Sequence, residues 1–289
     1  MSRVAGPKKR FLLGSLLLGI ALLALGQGLT LVHVQPFSDY WYGVVWTGFI
    51  LTGDTIIGQR TGACLLLQRP RELLRMVGLS GCLWWGFERG NATLFDNWSY
   101  AASPDVPHWL QWLRSCYFFA TLLPATWVAS ALAALLLKTQ PLPQRPAPAL
   151  AGIGLSAGAA CGLLAFAVPQ LSLPLVLLSL GLVADSLSLL LGRPSLLGHA
   201  KQRSLSLVLA ICVGNLAAGV LGEAWNYPAH PRWSYEVAYA GDLYLFAMPL
   251  PGYLGYAVLA IDLFALYHLL GRRRRASFPA GHPYAALGL

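Results

Sequence analysis

The sequence predicts an all-α integral membrane protein of eight transmembrane helices, built as two parallel four-helix repeats with both termini cytoplasmic. Three observations lead there. Apolar residues fill 56% of the 289 positions and charged residues only 11%, against roughly 25% charged in a soluble domain. The excess of Lys and Arg, +9 overall, sits in short clusters between long apolar runs, the membrane pattern; a nucleic-acid binder would spread it over one polar face. Finally, one residue pattern recurs in the second half of the chain at the same internal spacing.

About 20 apolar residues cross a bilayer as a helix. Eight such runs read along the chain, at 11–34, 41–58, 72–89, 109–137, 149–168, 171–191, 204–223 and 246–270. The first follows Lys8, Lys9 and Arg10. It is longer than a typical signal-peptide core and no A-x-A site closes it, so it reads as a retained span. The fourth is long enough to tilt. Only Val168, Pro169 and Gln170 separate the fifth and sixth, which predicts a tight hairpin.

Of the 20 Lys and Arg, all but Arg89, Arg114 and Arg232 fall on the N-terminus, the even-numbered connections or the tail. Eight helices with both ends inside satisfy that bias. The chain then divides into a cytoplasmic N-terminus (1–10), a first repeat (11–137), a cytoplasmic linker (138–148), a second repeat (149–270) and a basic cytoplasmic tail (271–289). Arg272 to Arg275 read as a stop-transfer anchor. The outer connections, 89–108 and 224–245, are rich in aromatic residues, Asn and Pro. They hold two formal glycosylation sequons, at Asn91 and Asn97.

The repeat shows most clearly at the ends of the third and seventh runs. Glu88, Asn91, Trp98, Ser99 and Tyr100 recur as Glu223, Asn226, Trp233, Ser234 and Tyr235, each 135 residues later. Asp54 corresponds to Asp185, and Phe119-Ala120-x-x-Leu123-Pro124 to Phe246-Ala247-x-x-Leu250-Pro251. Two copies of four helices enter the membrane from the same side, so they are parallel repeats and equivalent residues face one another across a pseudo-two-fold axis.

Ionisable residues inside a span are expensive and mark functional sites by default. Asp54, Asp185 and Asp262 are such intramembrane carboxylates, each with an interhelical clamp as its structural alternative. Glu88 and Glu223, at the outer boundary, are the candidate catalytic residues. A carboxyl desolvated beside Trp84, Trp85 and Phe87, or beside Trp225, is suited to hold a proton and act as a general acid. Asn91, Trp98, Tyr100, Asn226, Trp233 and Tyr235 are the candidate substrate-binding residues. The Asn side chains could orient each Glu, and the Trp and Tyr rings could stabilise a cationic intermediate. Equally, the set could staple an outer loop to its helix end.

Five dispersed cysteines and six dispersed histidines form no disulfide framework, zinc motif or haem ligand pair. No Walker loop or HExxH motif occurs. No cofactor and no metal are expected. The expected partners are membrane lipid and a lipid-soluble substrate, with no nucleic acid.

The stretch with Asp54, Arg60, Trp85-Gly86-Phe87-Glu88, Asn97-Trp98-Ser99-Tyr100 and Phe119 to Pro124 resembles an uncharacterised family of bacterial polytopic membrane proteins. Gly222 to Tyr227 and Met248 to Tyr256 in the second half resemble the same family. This likeness covers most of the chain and implies the bacterial plasma (inner) membrane. More distantly, an acidic residue followed by Trp-x-Tyr, repeated in a small helical unit, resembles the lycopene cyclase domain family. That implies proton-initiated cyclisation or hydration of a long isoprenoid. The Pro-x-Glu-Glu or Pro-x-Glu-Asp motif of that family has no counterpart, because no carboxylate follows Pro249 or Pro251. Three functions remain open: a membrane enzyme using Glu88 and Glu223, a small-solute or ion transporter coupled through Asp54 and Asp185, and a non-catalytic membrane assembly subunit.

Overall fold

The computed structural model describes residues 6–101, 106–141, 145–202, 204–236, 241–271 and 278–289. Arg3, Arg203 and Arg272 to Arg275, which bear on orientation, lie outside the described residues. The chain is all-α apart from short extended pairs. Its elements are α1 (Gly6–Val32), α2 (Trp41–Thr61), α3 (Leu65–Gln68), α4 (Pro70–Gly90), β1 (Trp98–Tyr100), α5 (His108–Leu137), α6 (Pro148–Ala167), α7 (Ser172–Leu190), α8 (Leu196–Lys201), α9 (Ser206–Asn226), β2 (Trp233–Tyr235), β3 (Tyr244–Leu245), β4 (Met248–Pro249), α10 (Leu254–Leu270) and α11 (Pro283–Ala286).

Among the described residues, six helices are long and apolar enough to cross a membrane: α1, α5, α6, α7, α9, and α10 with the 3-10 turn Leu250–Tyr253 before it. These are the helices of a membrane protein. Two more, α2 and α4, are 21 residues long but more polar. α2 is rich in Gly and Thr and carries Asp54 and Arg60, and α4 carries Arg71, Glu72, Arg75, Glu88 and Arg89.

The chain forms two compact units, with boundaries inside α5 and α9. The first comprises residues 1–91, 98–128 and 221–235. In it α1 packs along α2, and the buried pair Asp39–Arg114, at 2.6 Å, ties the start of α2 to α5. α4 is joined to α5 at Pro124. Proline lacks an N–H and crowds the preceding turn, so it disturbs the helical ladder. Here the Ser80 hydroxyl enters that ladder: it donates to the carbonyl of Phe119 and accepts from the Leu123 N–H at 2.9 Å. Ser80 thereby stands between the Phe119 carbonyl and the Leu123 N–H, the ladder position just before the proline.

The second unit comprises residues 92–97, 129–220 and 236–289. Its α6–α7 hairpin turns through the 3-10 segment Pro169–Leu171. The two helices approach closely because Gly154 and Gly158 meet Ser186 and Val183, where any added Cβ would stand 2.2 and 2.8 Å from a side-chain atom. The apolar run 246–270 is not helical throughout. Met248 and Pro249 pair with Tyr244 and Leu245 as an extended hairpin, and α10 starts only at Leu254. Pro249 and Pro251 cannot donate to a helical ladder, so Phe246 to Pro251 is extended and turn-like where its sequence counterpart at 119–124 is helical. Residues 278–289 are packed: Tyr284, Leu287 and Leu289 are buried, and the Leu287 carbonyl meets His268 Nε2 at 2.9 Å. Arg193 closes the end of α10, donating to the carbonyls of His268, Leu269 and Gly271.

Candidate functional site

Both Glu motifs lie within the first unit, and each closes on itself with the same bonds. In the first, Glu88 Oε1 accepts from Trp84 Nε1 at 2.8 Å, Trp98 Nε1 at 3.3 Å and the Tyr100 hydroxyl at 2.5 Å. In the second, Glu223 Oε1 accepts from Trp233 Nε1 at 3.1 Å and the Tyr235 hydroxyl at 2.9 Å. The last turn of each helix thus carries a carboxyl that collects the indole and phenol of the loop following it.

The Asn side chains bond the backbone of the strand that carries the Trp and Tyr. Asn91 Nδ2 donates to the Trp98 carbonyl at 2.8 Å, and its Oδ1 accepts from the Trp98 N–H. Asn226 treats Trp233 in the same way, at 2.9 and 3.0 Å. Each amide clamps a strand backbone, and the strand then presents its Trp and Tyr to the Glu. Asn91 is buried with both ends of its amide engaged, so the sequon at this position is occluded.

The two loops also meet. β1 and β2 pair antiparallel, with Trp98 opposite Tyr235, Ser99 opposite Ser234 and Tyr100 opposite Trp233. The Ser99 and Ser234 hydroxyls lie 3.1 Å apart. A pair of this kind has a local dyad at its centre, here between the two serines. The ladder continues from the Ala101 N–H to the Arg232 carbonyl at 3.0 Å.

Around this core stand aromatic residues that the sequence reading did not single out. Trp41 stacks on Trp233 with ring centroids 5.6 Å apart and donates to the Pro231 carbonyl at 3.1 Å. Tyr42 meets Trp233 edge-on at 5.6 Å and also packs against Phe118, at 5.3 Å. Trp46 meets Trp225 edge-on at 5.3 Å. The available signal was the Trp41-Tyr42 pair opening α2, which resembles an ordinary interfacial belt. Asp39, partner of Arg114, was missed for the same reason: it sits in a short turn outside every apolar run.

The intramembrane aspartates are elsewhere. Asp54 accepts from the N–H groups of Leu65 and Leu66, both at 2.9 Å. Asp185 accepts from those of Leu196 and Leu197, at 2.7 and 2.8 Å, and from the Ser195 hydroxyl at 2.9 Å. Each therefore accepts from the first N–H groups of the short helix that follows its own long helix, groups that lack intrahelical partners; the negative charge also suits a helix N-terminus. Asp262 is fully buried, and its Oδ1 sits where a Cβ on Gly181 would be. Neither of its oxygens has a hydrogen-bond partner among the described residues.

Outside the long helices, burial and then the neighbouring Asp54 push the Cys64 thiol up to about 12. Burial likewise holds the imidazole of His199, in α8, below its ordinary value of 6.5. Among the described residues no cluster of His, Cys, Asp and Glu could hold a metal ion.

Chemically, three donors on Glu88 Oε1 fix the rotamer of that carboxyl and crowd that oxygen with hydrogens, so a proton carried by the group sits on Oε2. Aromatic faces beside such a carboxyl suit a carbocation or another weakly hydrated cation. Comparison with known protein families, curated proteins and solved structures finds no match for this chain.

Proposed function

We propose that the protein is a membrane enzyme that uses the carboxyls of Glu88 and Glu223 as acid/base groups on a lipid-soluble, isoprenoid-like substrate. One observation carries this reading: two carboxyls 135 residues apart in sequence each hold the Trp and Tyr of one of two paired strands, which brings both motifs to one site beside the stacked Trp41 and Trp233. In the reaction envisaged, a proton leaves a Glu for an electron-rich carbon of the lipid. The resulting cation rests against aromatic faces and then returns a proton to the carboxylate. The net change is an isomerisation and needs no further reactant.

The same reading takes α2 and α4 as spans beside the six apolar helices. This gives two parallel four-helix repeats in a bacterial inner membrane, with both termini cytoplasmic. The repeat is supported by the matching bonds of the two Glu motifs and by the equal reach, 11 and 12 residues, from Asp54 and Asp185 to their N–H donors. The orientation is supported by the Lys/Arg clusters. Capping accounts for the two aspartates without ion coupling, so the geometry does not favour transport.

A second reading, a non-catalytic assembly subunit, is favoured by one fact. Each Glu accepts from the Trp and Tyr of its own loop, as a structural staple would. Gln separates the two, since its carbonyl still accepts those bonds but carries no acidic proton. Lipid extracts of an isoprenoid-producing host would be compared by mass spectrometry for the wild type, the Glu88→Gln/Glu223→Gln double variant and an empty vector. A lipid species gained or lost only with the wild type is expected. Identical extracts, with folded protein verified in the membrane, would overturn the enzyme in favour of the assembly subunit.

A further inference from the structure

The two Glu motifs make the same bonds in different surroundings. Glu223 is 0% exposed, whereas Glu88 is only partly buried. Beside Glu88, Tyr100 is 52% and Trp85 38% exposed, and Trp85 stacks on the exposed Trp112 with centroids 6.5 Å apart. On the Glu223 side, Trp41 stacks over Trp233 and covers it. Glu88 has a third donor, Trp84, one helical turn before it. The residue 135 positions later is Gly219, so the second copy has no indole to offer from that turn. One motif is closed; the other opens onto an aromatic wall.

We infer a narrower assignment than the acid/base pair above: Glu88 alone meets a lipid-soluble substrate, and Glu223 is a positioning residue rather than a second acid/base group. This rests on the enzyme reading above. A buried Glu223 cannot touch a substrate without displacing the side chains that cover it. What it does hold is β2, through Trp233 and Tyr235, and β2 in turn fixes β1 by the pairing centred on Ser99 and Ser234. Since β1 carries Trp98 and Tyr100, two of the three donors that aim Glu88, Glu223 acts on the reacting carboxyl through the ladder. Glu88 supplies the proton from Oε2, the oxygen away from the three donors, and takes a proton back at the same place.

Two measurements test this on the full chain in lipid nanodiscs. Coupling of glycinamide by a water-soluble carbodiimide, read by peptide mass spectrometry, should modify Glu88 and spare Glu223. For product formation, Glu88→Gln should lose about a hundredfold or more, the lower range for a general acid. Glu223→Ala, which removes the acceptor, should lower product formation, and Glu223→Gln, which restores it, should rescue product relative to Glu223→Ala and leave the pH profile where it was. Equal labelling of the two residues, or loss of product in Glu223→Gln with retention in Glu88→Gln, would overturn the assignment. If the wild type itself forms no product, the enzyme reading fails, and the labelling ratio alone decides whether Glu88 is the open carboxyl.

Discussion

Replacing Asp185 with alanine strips the N-terminus of α8 of its anchor. The carboxylate accepts from Leu196 N–H, Leu197 N–H and the Ser195 hydroxyl, at 2.7, 2.8 and 2.9 Å, and it is buried. Hydrogen bonds to a charged group contribute about 1.5–3 kcal/mol each, so the two backbone bonds alone amount to about 3–6 kcal/mol. Removing a carboxylate from a buried site recovers part of that, because the charge no longer has to be desolvated, and leaves a net loss of about 2–4 kcal/mol. Ser195 still caps the Gly198 N–H at 3.2 Å, which limits the damage to the first turn. For a chain of this size 1 kcal/mol moves the midpoint by roughly 2–4 °C, giving a fall of about 4–16 °C. Asp185→Asn keeps one acceptor oxygen and turns an amide NH2 toward the other N–H, so it should lie between alanine and wild type. The assay is thermal unfolding in nanodiscs, paired with hydrogen exchange at residues 195–201. A midpoint for Asp185→Ala within about 2 °C of wild type, with exchange at Leu196 and Leu197 unchanged, would refute the capping role.

Asn226→Ala removes both backbone bonds to Trp233 and should cost about 1–3 kcal/mol; limited proteolysis should then cut the 227–236 loop faster than in the wild type. The depressed value of His199 sets a pH dependence. As the pH falls below 6.5 the unfolded chain takes up the proton first, so stability present above that value declines until the folded imidazole is protonated too. The unfolding midpoint should drop between about pH 7.5 and 5.5, and His199→Gln should flatten that slope. Cys64, buried and pushed up to about 12, should resist maleimide in the folded protein and react once the chain is unfolded. Labelling of Cys64 in the folded protein at the rate seen after unfolding would show that its surroundings are open.

Several features were legible in the sequence because they are local. The long helices follow from apolar runs, and the loop motif from rare residues at a repeated spacing. What each residue would bond was less legible. Asp54 and Asp185 read as equivalent positions in the sequence, but their partners are backbone N–H groups of leucines, which have no side-chain signature. Asn91 and Asn226 stand one turn beyond a Glu, which suggested that they orient it; the strand returning seven residues later offers its N–H and carbonyl, and two backbone bonds fix both ends of an amide. The Phe-Ala-x-x-Leu-Pro match misled about local structure. At 119–124 Ser80 repairs the ladder next to the proline, whereas Phe246 to Pro251 forms a hairpin and a turn.

By itself the sequence determined the membrane character of the long helices, the clustering of positive charge and the two copies of the Glu-Asn-Trp-Ser-Tyr pattern. Hydropathy, charge and spacing are properties that add along a chain and need no knowledge of what lies across space. Only the tertiary structure decided that β1 pairs with β2, that Trp41 and Tyr42 pack on Trp233, and that Glu223 is enclosed while Glu88 is open. The reason is physical: a hydrogen bond or a stacked ring depends on a few tenths of an ångström between groups as much as 190 residues apart, and residue spacing carries no record of that distance.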